Sequence, residues 1–270
     1  MNWQHVGVLV RYDLLYIVRS ATRLLFLVFY GLFWFWLLWK LGEGMATWLA
    51  EPEGNLMASW ILEKELARAL FLERPATLSA YFLIAMAMVP AFVIWGASSQ
   101  TATDIKSRHL RFLIPRCGRF EIYLGRFLGA VLLITLPEIV VGTIATLISV
   151  QIDNMDIATV LVYALHVNSI VIAYSLPYIA FMAIFSAWTA SAGLAVLVAM
   201  SIYFVFAMVM GVLTIRWPES TWIGYLLPNA LKTQLISPDG SLILLALAAL
   251  VMYLFIYFWV GWYIFRVRDL

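Results

Sequence analysis

Long runs of apolar residues, separated by short polar segments, extend along nearly the whole chain. Six of these runs come close to or exceed the roughly 20 residues that a helix needs to cross a bilayer. We predict membrane-spanning helices at residues 24–41, 78–97, 122–150, 158–185, 193–215 and 242–265. The runs are continuous, whereas strands of a membrane barrel alternate apolar and polar positions over about 10 residues. The pattern predicts an all-α polytopic membrane protein with one transmembrane domain over residues 1–270.

The composition supports this class of fold. Hydrophobic residues make up 64% of the chain and charged residues 12%, whereas soluble domains are roughly 45–50% apolar and about 25% charged. A water-soluble fold could not cover so many apolar side chains with a polar surface. The net charge of +2 is too small to indicate nucleic acid as a partner.

Lysine and arginine are distributed unevenly between the segments that flank the predicted helices. With the N-terminus inside, the inside segments hold eleven of these residues and the outside segments hold six. Cytoplasmic segments carry the basic excess in membrane proteins, so both termini are expected in the cytoplasm. Arginines precede the first apolar run and no small-x-small cleavage site follows it closely, so this run is expected to be a retained helix rather than a signal peptide.

The segment 4–23, before the first predicted span, is amphipathic. At 100° per residue, Arg11, Arg19 and Arg23 share a polar arc, and mainly apolar residues occupy the opposite arc. Such a helix is expected to lie in the membrane interface with its basic face toward the headgroups. Asp13 falls in the apolar arc. Its carboxylate either pairs with a basic residue of another segment or reaches interfacial water.

The first outside loop, residues 42–77, is rich in glutamate, and its part 59–74 is predicted to form a short helix that Pro75 ends. One interpretation is a solvated cap over the bundle, because charge pairs on such a helix are ordinary. The other is a lid or docking site on the outer side.

Few residues suggest catalysis or metal binding. A single cysteine, Cys117, excludes an intrachain disulfide. His5, His109 and His166 are far apart in sequence and none lies in a His-Glu-x-x-His pattern, so no metal site is predicted. A Gly-x-Ser-x-Gly pattern is also absent from the sequence. No catalytic residue is assigned, and an intramembrane enzyme stays an alternative without a site.

The main cytoplasmic loop, residues 101–126, holds the densest basic cluster. Leu110, Leu113 and Ile114 have the i, i+3, i+4 spacing of one apolar helix face, with Arg108 and Arg111 beside it. A short helix of this kind can offer its apolar side to a groove on a cytoplasmic partner. The alternative is a basic loop that only fixes topology.

This loop resembles the signature of ABC exporter permeases of the type-2 class. That signature has an acid after the second helix, a Gly-Thr-Leu pattern, a leucine-rich helix, Pro-x-x-Arg and a hydrophobic run ending in Leu-Gly-Lys/Arg. The matching residues are Asp104, Leu110, Leu113, Pro115, Arg119, Ile122, Leu124, Gly125, Arg126 and Gly129. The chain has Arg108 and His109 in place of the Gly-Thr pair, and one extra residue between the proline and Arg119.

Other segments are similar to the same family and extend the resemblance to the whole chain. The N-terminal Arg11-Tyr12-Asp13-Leu14 resembles its interface helix. The segment 217–238 resembles its partly membrane-embedded outer turn, and the ending 265–270 resembles its Phe-x-x-Arg-Asp-Leu terminus.

The resemblance implies a half-transporter in an inner membrane, paired with a second copy or a paralogue and with two cytoplasmic ATPase subunits. The chain contains no Gly-x-x-x-x-Gly-Lys-Ser/Thr loop, so ATP and magnesium are expected on the partner ATPase and no cofactor on this chain. By analogy the helix around Lys106–Ile114, together with Asp104, would couple the ATPase to the membrane helices. Aromatic residues and methionine in the first, second and fifth spans would suit a lipid-like or amphipathic cargo, or simply face lipid.

Glu138 is the one clear acid deep in a predicted span, next to Pro137. Intramembrane carboxylates are costly and usually functional. Glu138 is either a gate or cargo contact, or a structural carboxyl that pairs with backbone near Pro137 or carries a proton. Two other classes of protein remain as alternatives: a non-transporting membrane scaffold or assembly factor, and an ion-coupled transporter, for which more intramembrane charges would be expected.

Overall fold

A computed structural model describes residues 2–16, 20–45, 70–71, 73–107, 110–237 and 239–268. Within these ranges the chain forms helices and no strands. Six helices are long and apolar enough to cross a membrane. The predicted all-α, six-span membrane fold is therefore confirmed.

The helices follow one another in an up-and-down order. The N-terminal part contains α1 (Trp3–Tyr16), α2 (Ala21–Lys40) with a π-helical turn at Leu41–Met45, and α3 (Ala76–Gly96). Two short helices follow, α4 (Ala102–Lys106) and α5 (Leu110–Leu113). The remaining spans are α6 (Arg119–Ile152), α7 (Ile157–Trp188), α8 (Ala192–Arg216) and α10 (Gly240–Val267), with α9 (Lys232–Ile236) before the last.

The spans α3, α6, α7, α8 and α10 begin and end within three residues of their predicted limits. The internal prolines Pro137 and Pro177 do not end α6 or α7. These two helices have 34 and 32 residues, or about 50 Å each at 1.5 Å per residue. They exceed a hydrocarbon core of about 30 Å, so their ends extend beyond it or the helices tilt.

The helix α7 occupies the centre of the bundle. In its most apolar stretch 78% of the residues are buried, against 6% in α8 and 17% in α10. The fully buried Tyr174 and Tyr178 on α7 donate and accept one hydrogen bond of 2.9 Å between their hydroxyls. The side chains of α8 and α10 that face away from α7 are apolar and exposed, as expected where lipid or another membrane chain covers them.

The N-terminal region differs from its prediction. The expected interface helix over 4–23 is a helix of 14 residues, α1, and α2 begins at Ala21 after an extended Ser20 with φ −98° and ψ 113°. The extended Ser20 therefore separates the two helices, and Arg23 lies in the first span rather than on an interface helix. This is a correction to the predicted polar arc.

One end of the bundle is held together by Asp153, in the short turn between α6 and α7. Its carboxylate accepts hydrogen bonds from Thr77 N and Thr77 Oγ1, the latter at 3.0 Å, and from Ser149 Oγ at 2.6 Å. The start of α3 is thereby fixed to the end of α6. The helix predicted at 59–74 lies almost wholly outside the described residues.

The segment between α8 and α10 runs back along the bundle. It contains 3-10 turns at Pro218–Leu226 and Pro228–Leu231, and its Leu227 and Leu231 are buried. Tyr257 Oη donates to Leu226 O at 2.8 Å. Tyr257 lies about 25 Å along α10 from Gly240 at 1.5 Å per residue, so the segment reaches well down the length of the last span.

Candidate functional site

Four charged side chains from four segments meet in the interior, near the end of the bundle that carries the loop 101–126. They are Asp13 on α1, Arg23 on α2, Asp104 on α4 and Arg126 on α6, and none is more than 9% exposed. We call these four residues the ion cluster. Two carboxylates and two guanidinium groups make it formally neutral, which is the condition under which buried charge is tolerated.

Arg126 is the centre of the ion cluster. Its Nη1 lies 2.6 Å from Asp13 Oδ1, and its Nε lies 2.7 Å from Asp104 Oδ2. Arg23 binds the same acid from another side, with Nη2 to Asp13 Oδ1 at 3.0 Å and Nη1 to Asp13 O at 2.9 Å. Ser99 Oγ accepts from Arg23 Nε at 3.2 Å. The planar, many-donor guanidinium suits such multiple contacts.

The two interpretations of Asp13 are thereby decided. Its side chain is 2% exposed and pairs with arginines of two membrane helices, so it does not rely on interfacial water. Arg11 remains exposed on α1, and Arg19 lies outside the described residues. A polar cavity of about 130 Å³ lies beside the ion cluster and is lined by Tyr12, Ser20 and Gln100 as well as the charged groups.

Two glycines on α6 allow α1 to approach closely enough for these ion pairs. A Cβ at Gly125 would lie 2.9 Å from Leu9 Cβ, and a Cβ at Gly129 would lie 2.8 Å from Asp13 Oδ2. The two positions are four residues apart and therefore share a helix face. Small residues at this spacing permit close helix packing in membrane proteins. The Gly-Arg-x-x-Gly part of the sequence signature thus has a packing role here.

The loop predicted to hold a coupling helix forms two short helices instead of one helix over Lys106–Ile114. Ser107 Oγ donates to Thr103 O at 2.8 Å at the end of α4. Serine side chains compete with the backbone for such carbonyls and favour helix ends. Arg108 lies outside the described residues. Ile114 follows α5 in a turn.

Leu110 and Leu113 of α5, and Ile114 after it, point into the protein. Leu110 is 2% exposed and belongs to the hydrophobic core, and Leu113 and Ile114 pack partly buried against that core. The expectation that Leu110 faces a partner is therefore wrong for this conformation. The exposed side chains of the loop include Lys106, Arg111 and Arg116. We call these three residues the basic loop surface.

The other side of the loop is attached to α7. Ser186 Oγ accepts from Thr101 N at 2.8 Å and from Ala102 N at 3.1 Å, which satisfies backbone donors at the start of α4. Gln100 Nε2 donates to Ile179 O at 3.1 Å. The loop is thus held both by the central helix and, through Asp104, by the ion cluster.

Two further arginines hold the C-terminal segment on this side of the protein. Arg119 Nη1 donates to Arg266 O at 2.7 Å, and Arg268 Nη1 donates to Ala187 O and Trp188 O, each at 2.6 Å. These hydrogen bonds therefore connect the ends of α7 and α10 with each other and with the start of α6. Both arginines belong to the sequence patterns described above, and the last two residues of the chain lie outside the description.

The N-terminus of α1 contacts the start of α6. His5 Nδ1 lies 2.9 Å from Glu121 Oε2, and Asn2 N donates to Glu121 Oε1 at 2.6 Å. With Cys117, these side chains place nitrogen, sulfur and oxygen donors within 4.8 Å of one another, a set that could hold a metal ion. The sequence separation of His5 from the other two residues hid this grouping. Hydrogen bonds already occupy the Glu121 carboxylate, including one from Gly118 N at 3.3 Å.

Glu138 lies apart from the ion cluster, within the membrane-spanning part of α6. It is 5% exposed, and its Oε2 has no hydrogen-bond partner among the residues that the structure describes. Ser175 on α7 interacts with the side chain. Glu138 lines a small cavity of about 10 Å³ together with aromatic residues of α2 and α3.

The fold and the ion cluster define a multi-pass α-helical membrane protein whose loop 101–126 is tightly linked to its membrane helices. The chain belongs to DUF2705, a family described as proteins of unknown function, whose model matches residues 66–270. A comparison with the curated proteins gives no match.

Proposed function

We propose that this chain is the membrane-spanning permease subunit of an ATP-driven ABC exporter in an inner membrane, with both termini in the cytoplasm. Two cytoplasmic ATPase subunits would supply the energy, and a second permease copy or a paralogue would complete the path. The resemblance of the loop 101–126 and of both ends of the chain to type-2 exporter permeases is the sequence support for this proposal.

The observation that supports it best is the ionic link between the cytoplasmic loop and the membrane helices. Asp104, on α4, shares Arg126 with Asp13, and Asp13 in turn binds Arg23. A partner that moves α4 would act on α1, α2 and α6 through one set of short contacts. The bonds from Thr101 and Ala102 to Ser186 extend the same link to α7.

In this proposal the ATPase binds the basic loop surface, and its ATP-dependent closure displaces α4. The membrane helices would then change between two arrangements that bind cargo differently, which is the requirement for coupled movement. ATP and magnesium would be held by the partner. The cargo would be lipid-like or amphipathic, in keeping with the apolar, aromatic surface of α2 and α8.

The test is affinity purification of the tagged full-length chain from its source cells in mild detergent, followed by mass spectrometry and an ATPase assay. We expect an ATPase subunit to co-purify and to hydrolyse ATP. A chain that purifies without such a subunit and without ATPase activity would contradict the proposal and favour a membrane scaffold or an intramembrane enzyme.

A further inference from the structure

Five aromatic side chains surround the cavity that Glu138 lines. Phe26, Tyr30 and Trp34 come from α2, and Tyr81 and Phe92 from α3. Rings of α2 contact rings of α3: the centroid distance is 5.0 Å for Tyr30 and Phe92 and 5.3 Å for Trp34 and Tyr81. An acid and an aromatic wall from three different helices therefore face one internal space.

Among the residues that the structure describes, the carboxyl group in this space has no positive partner. No ion pair to Glu138 is found in the described parts of the chain, whose buried arginines at the cytoplasmic end pair with Asp13 and Asp104. An isolated charge at this depth is costly. The group must either bind a proton or receive a cation from outside the protein.

The lining selects among cations. Metal ions such as Mg²⁺ or Ca²⁺ take six or more oxygen ligands, whereas the lining offers Glu138 and two tyrosine hydroxyls among mostly carbon atoms. Aromatic ring faces attract quaternary ammonium and other weakly hydrated cations, and proteins use cages of such rings to bind them. The combination of rings and one carboxylate fits an organic cation.

We propose that Glu138 and the surrounding aromatic residues bind an organic cation, such as a quaternary ammonium or phosphonium amphiphile, and that such a cation is the cargo. The assignment as cargo rests on the proposed exporter function, whereas the binding site itself does not. The sequence left two roles open for Glu138, a gate or cargo contact and a structural carboxyl, and this proposal assigns it to contact with cargo.

The cavity has the volume of about one water molecule in this conformation, so the cation enters only when α2 separates from α3. The wall between these helices consists of ring contacts at this level, such as Phe33 with Phe92 at 5.2 Å. The opposite face of α2 is exposed, including Leu32 at 62% and Phe35 at 65%. Separation would therefore break dispersion contacts but few directional bonds. The closed cavity corresponds to the cargo-free arrangement.

The experiment measures binding of tetraphenylphosphonium to the purified full-length chain in lipid nanodiscs, by calorimetry and by quenching of tryptophan fluorescence. We expect saturable binding that weakens at least tenfold in Glu138→Gln. Trp34→Leu, which keeps the charge and removes one ring, should weaken binding several-fold. Glu219→Gln, at an exposed acid in the segment between α8 and α10, is the matched control and should bind like the wild type.

Equal binding by the wild type and Glu138→Gln, or no binding by a folded wild-type chain, would overturn the proposal and leave Glu138 as a protonated structural group. Elution volume and thermal stability of each variant establish that it is folded. The assay contains no ATPase, so its result is independent of the co-purification test. If the chain binds the cation but no ATPase subunit co-purifies, the exporter proposal is refuted and the binding site stands. If an ATPase subunit co-purifies but the chain does not bind the cation, only the binding site is refuted.

Discussion

Asp13 Oδ1 and Arg126 Nη1 lie 2.6 Å apart in the interior, although 113 residues separate them in the sequence. The contact connects the N-terminal helix α1 with the membrane helix α6. Because Arg126 also binds Asp104, the same guanidinium joins α1 to α4 in the loop 101–126. Loss of this one side chain would leave two buried carboxylates with less positive charge than they need.

Replacement of Arg126 should therefore be more damaging than replacement of most surface arginines. Removing one partner of a buried ion pair costs about 3–5 kcal/mol, because the remaining charge stays buried without compensation. We expect Arg126→Ala to lower the yield of folded protein and the unfolding temperature in detergent. Arg126→Lys should recover only part of the loss, since one ammonium does not reproduce separate Nη1 and Nε contacts.

Arg116→Ala is the control for this experiment, because Arg116 is exposed on the same side of the protein. Its unfolding temperature should stay close to that of the wild type. If Arg126→Ala were as stable as Arg116→Ala, the ion cluster would not contribute to stability in the way described.

The close approach of α1 to α6 predicts a strict requirement for glycine at position 129. An added Cβ would lie 2.8 Å from Asp13 Oδ2, so Gly129→Ala should displace α1 and cost about 1–3 kcal/mol, as overpacking does. Gly211 on α8 has no atom within 4 Å of such a Cβ. Gly211→Ala should be neutral or stabilise the helix by up to about 1 kcal/mol. Thermal unfolding in the same detergent compares the two, and equal unfolding temperatures would contradict the packing role of Gly129.

The spans could be predicted from the sequence because the bilayer imposes one strong condition. Every spanning segment must be an apolar helix of sufficient length, and this condition is visible residue by residue. Helix ends such as Arg119 and Ile152 lie only a few residues from the apolar limits. The boundary between the interface helix and the first span was predicted after Arg23, whereas α2 begins at Ala21. The arginine spacing over 4–23 fits one amphipathic helix, and the extended Ser20 before α2 leaves no mark in that pattern.

The ion cluster could be predicted only in part. An acid in the apolar arc of α1 indicated that Asp13 needs a partner, but Arg23 and Arg126 were assigned to polar surroundings because charge is usually exposed. Pairing across distant segments depends on how helices pack, and a single sequence does not contain that information. For the same reason Leu110 was expected to face a partner, whereas it fills this protein's own core.

The basic loop surface makes a specific prediction about assembly with an ATPase. Lys106 and Arg111 are exposed and are not members of the ion cluster. The double variant Lys106→Glu with Arg111→Glu should therefore leave the unfolding temperature unchanged. The same double variant should reduce the co-purifying ATPase subunit at least tenfold, because like charges would face the partner. Arg216 is the last residue of α8 and is exposed. Arg216→Glu is the control and should retain the subunit.

An unchanged amount of ATPase subunit in the double variant would exclude this surface as the docking site. Leu110→Asp is unsuitable for the same purpose. Its side chain is 2% exposed, so that variant would report on folding rather than on docking.

Lys232, at the start of α9, predicts a pH-dependent stability. Burial disfavours its ammonium form and lowers the pKa from 10.5 to about 8. Between these two values the unfolded chain binds more protons than the folded one, so stability rises with pH in this window.

Lys232→Met removes the cost of burying the charge. We expect the variant to unfold at a higher temperature than the wild type at pH 7, and the difference to shrink as the pH rises through 8. Lys106→Met, at an exposed lysine, is the control, and a difference that stays constant with pH would contradict the assignment to Lys232.

The single cysteine offers a direct test of the orientation of the chain. Cys117 follows α5, on the side that the basic excess assigns to the cytoplasm. In intact cells a membrane-impermeant maleimide should leave Cys117 unmodified, and permeabilised cells should show its modification.

The matched variant combines Cys117→Ser with Asn154→Cys, which places the thiol at an exposed position in the turn between α6 and α7. That thiol should react in intact cells, because the turn lies at the opposite ends of the same helices. The reverse pattern of labelling would place the ion cluster and the basic loop surface outside the cell, where no ATP-binding partner could reach them, and the exporter proposal would fail with it.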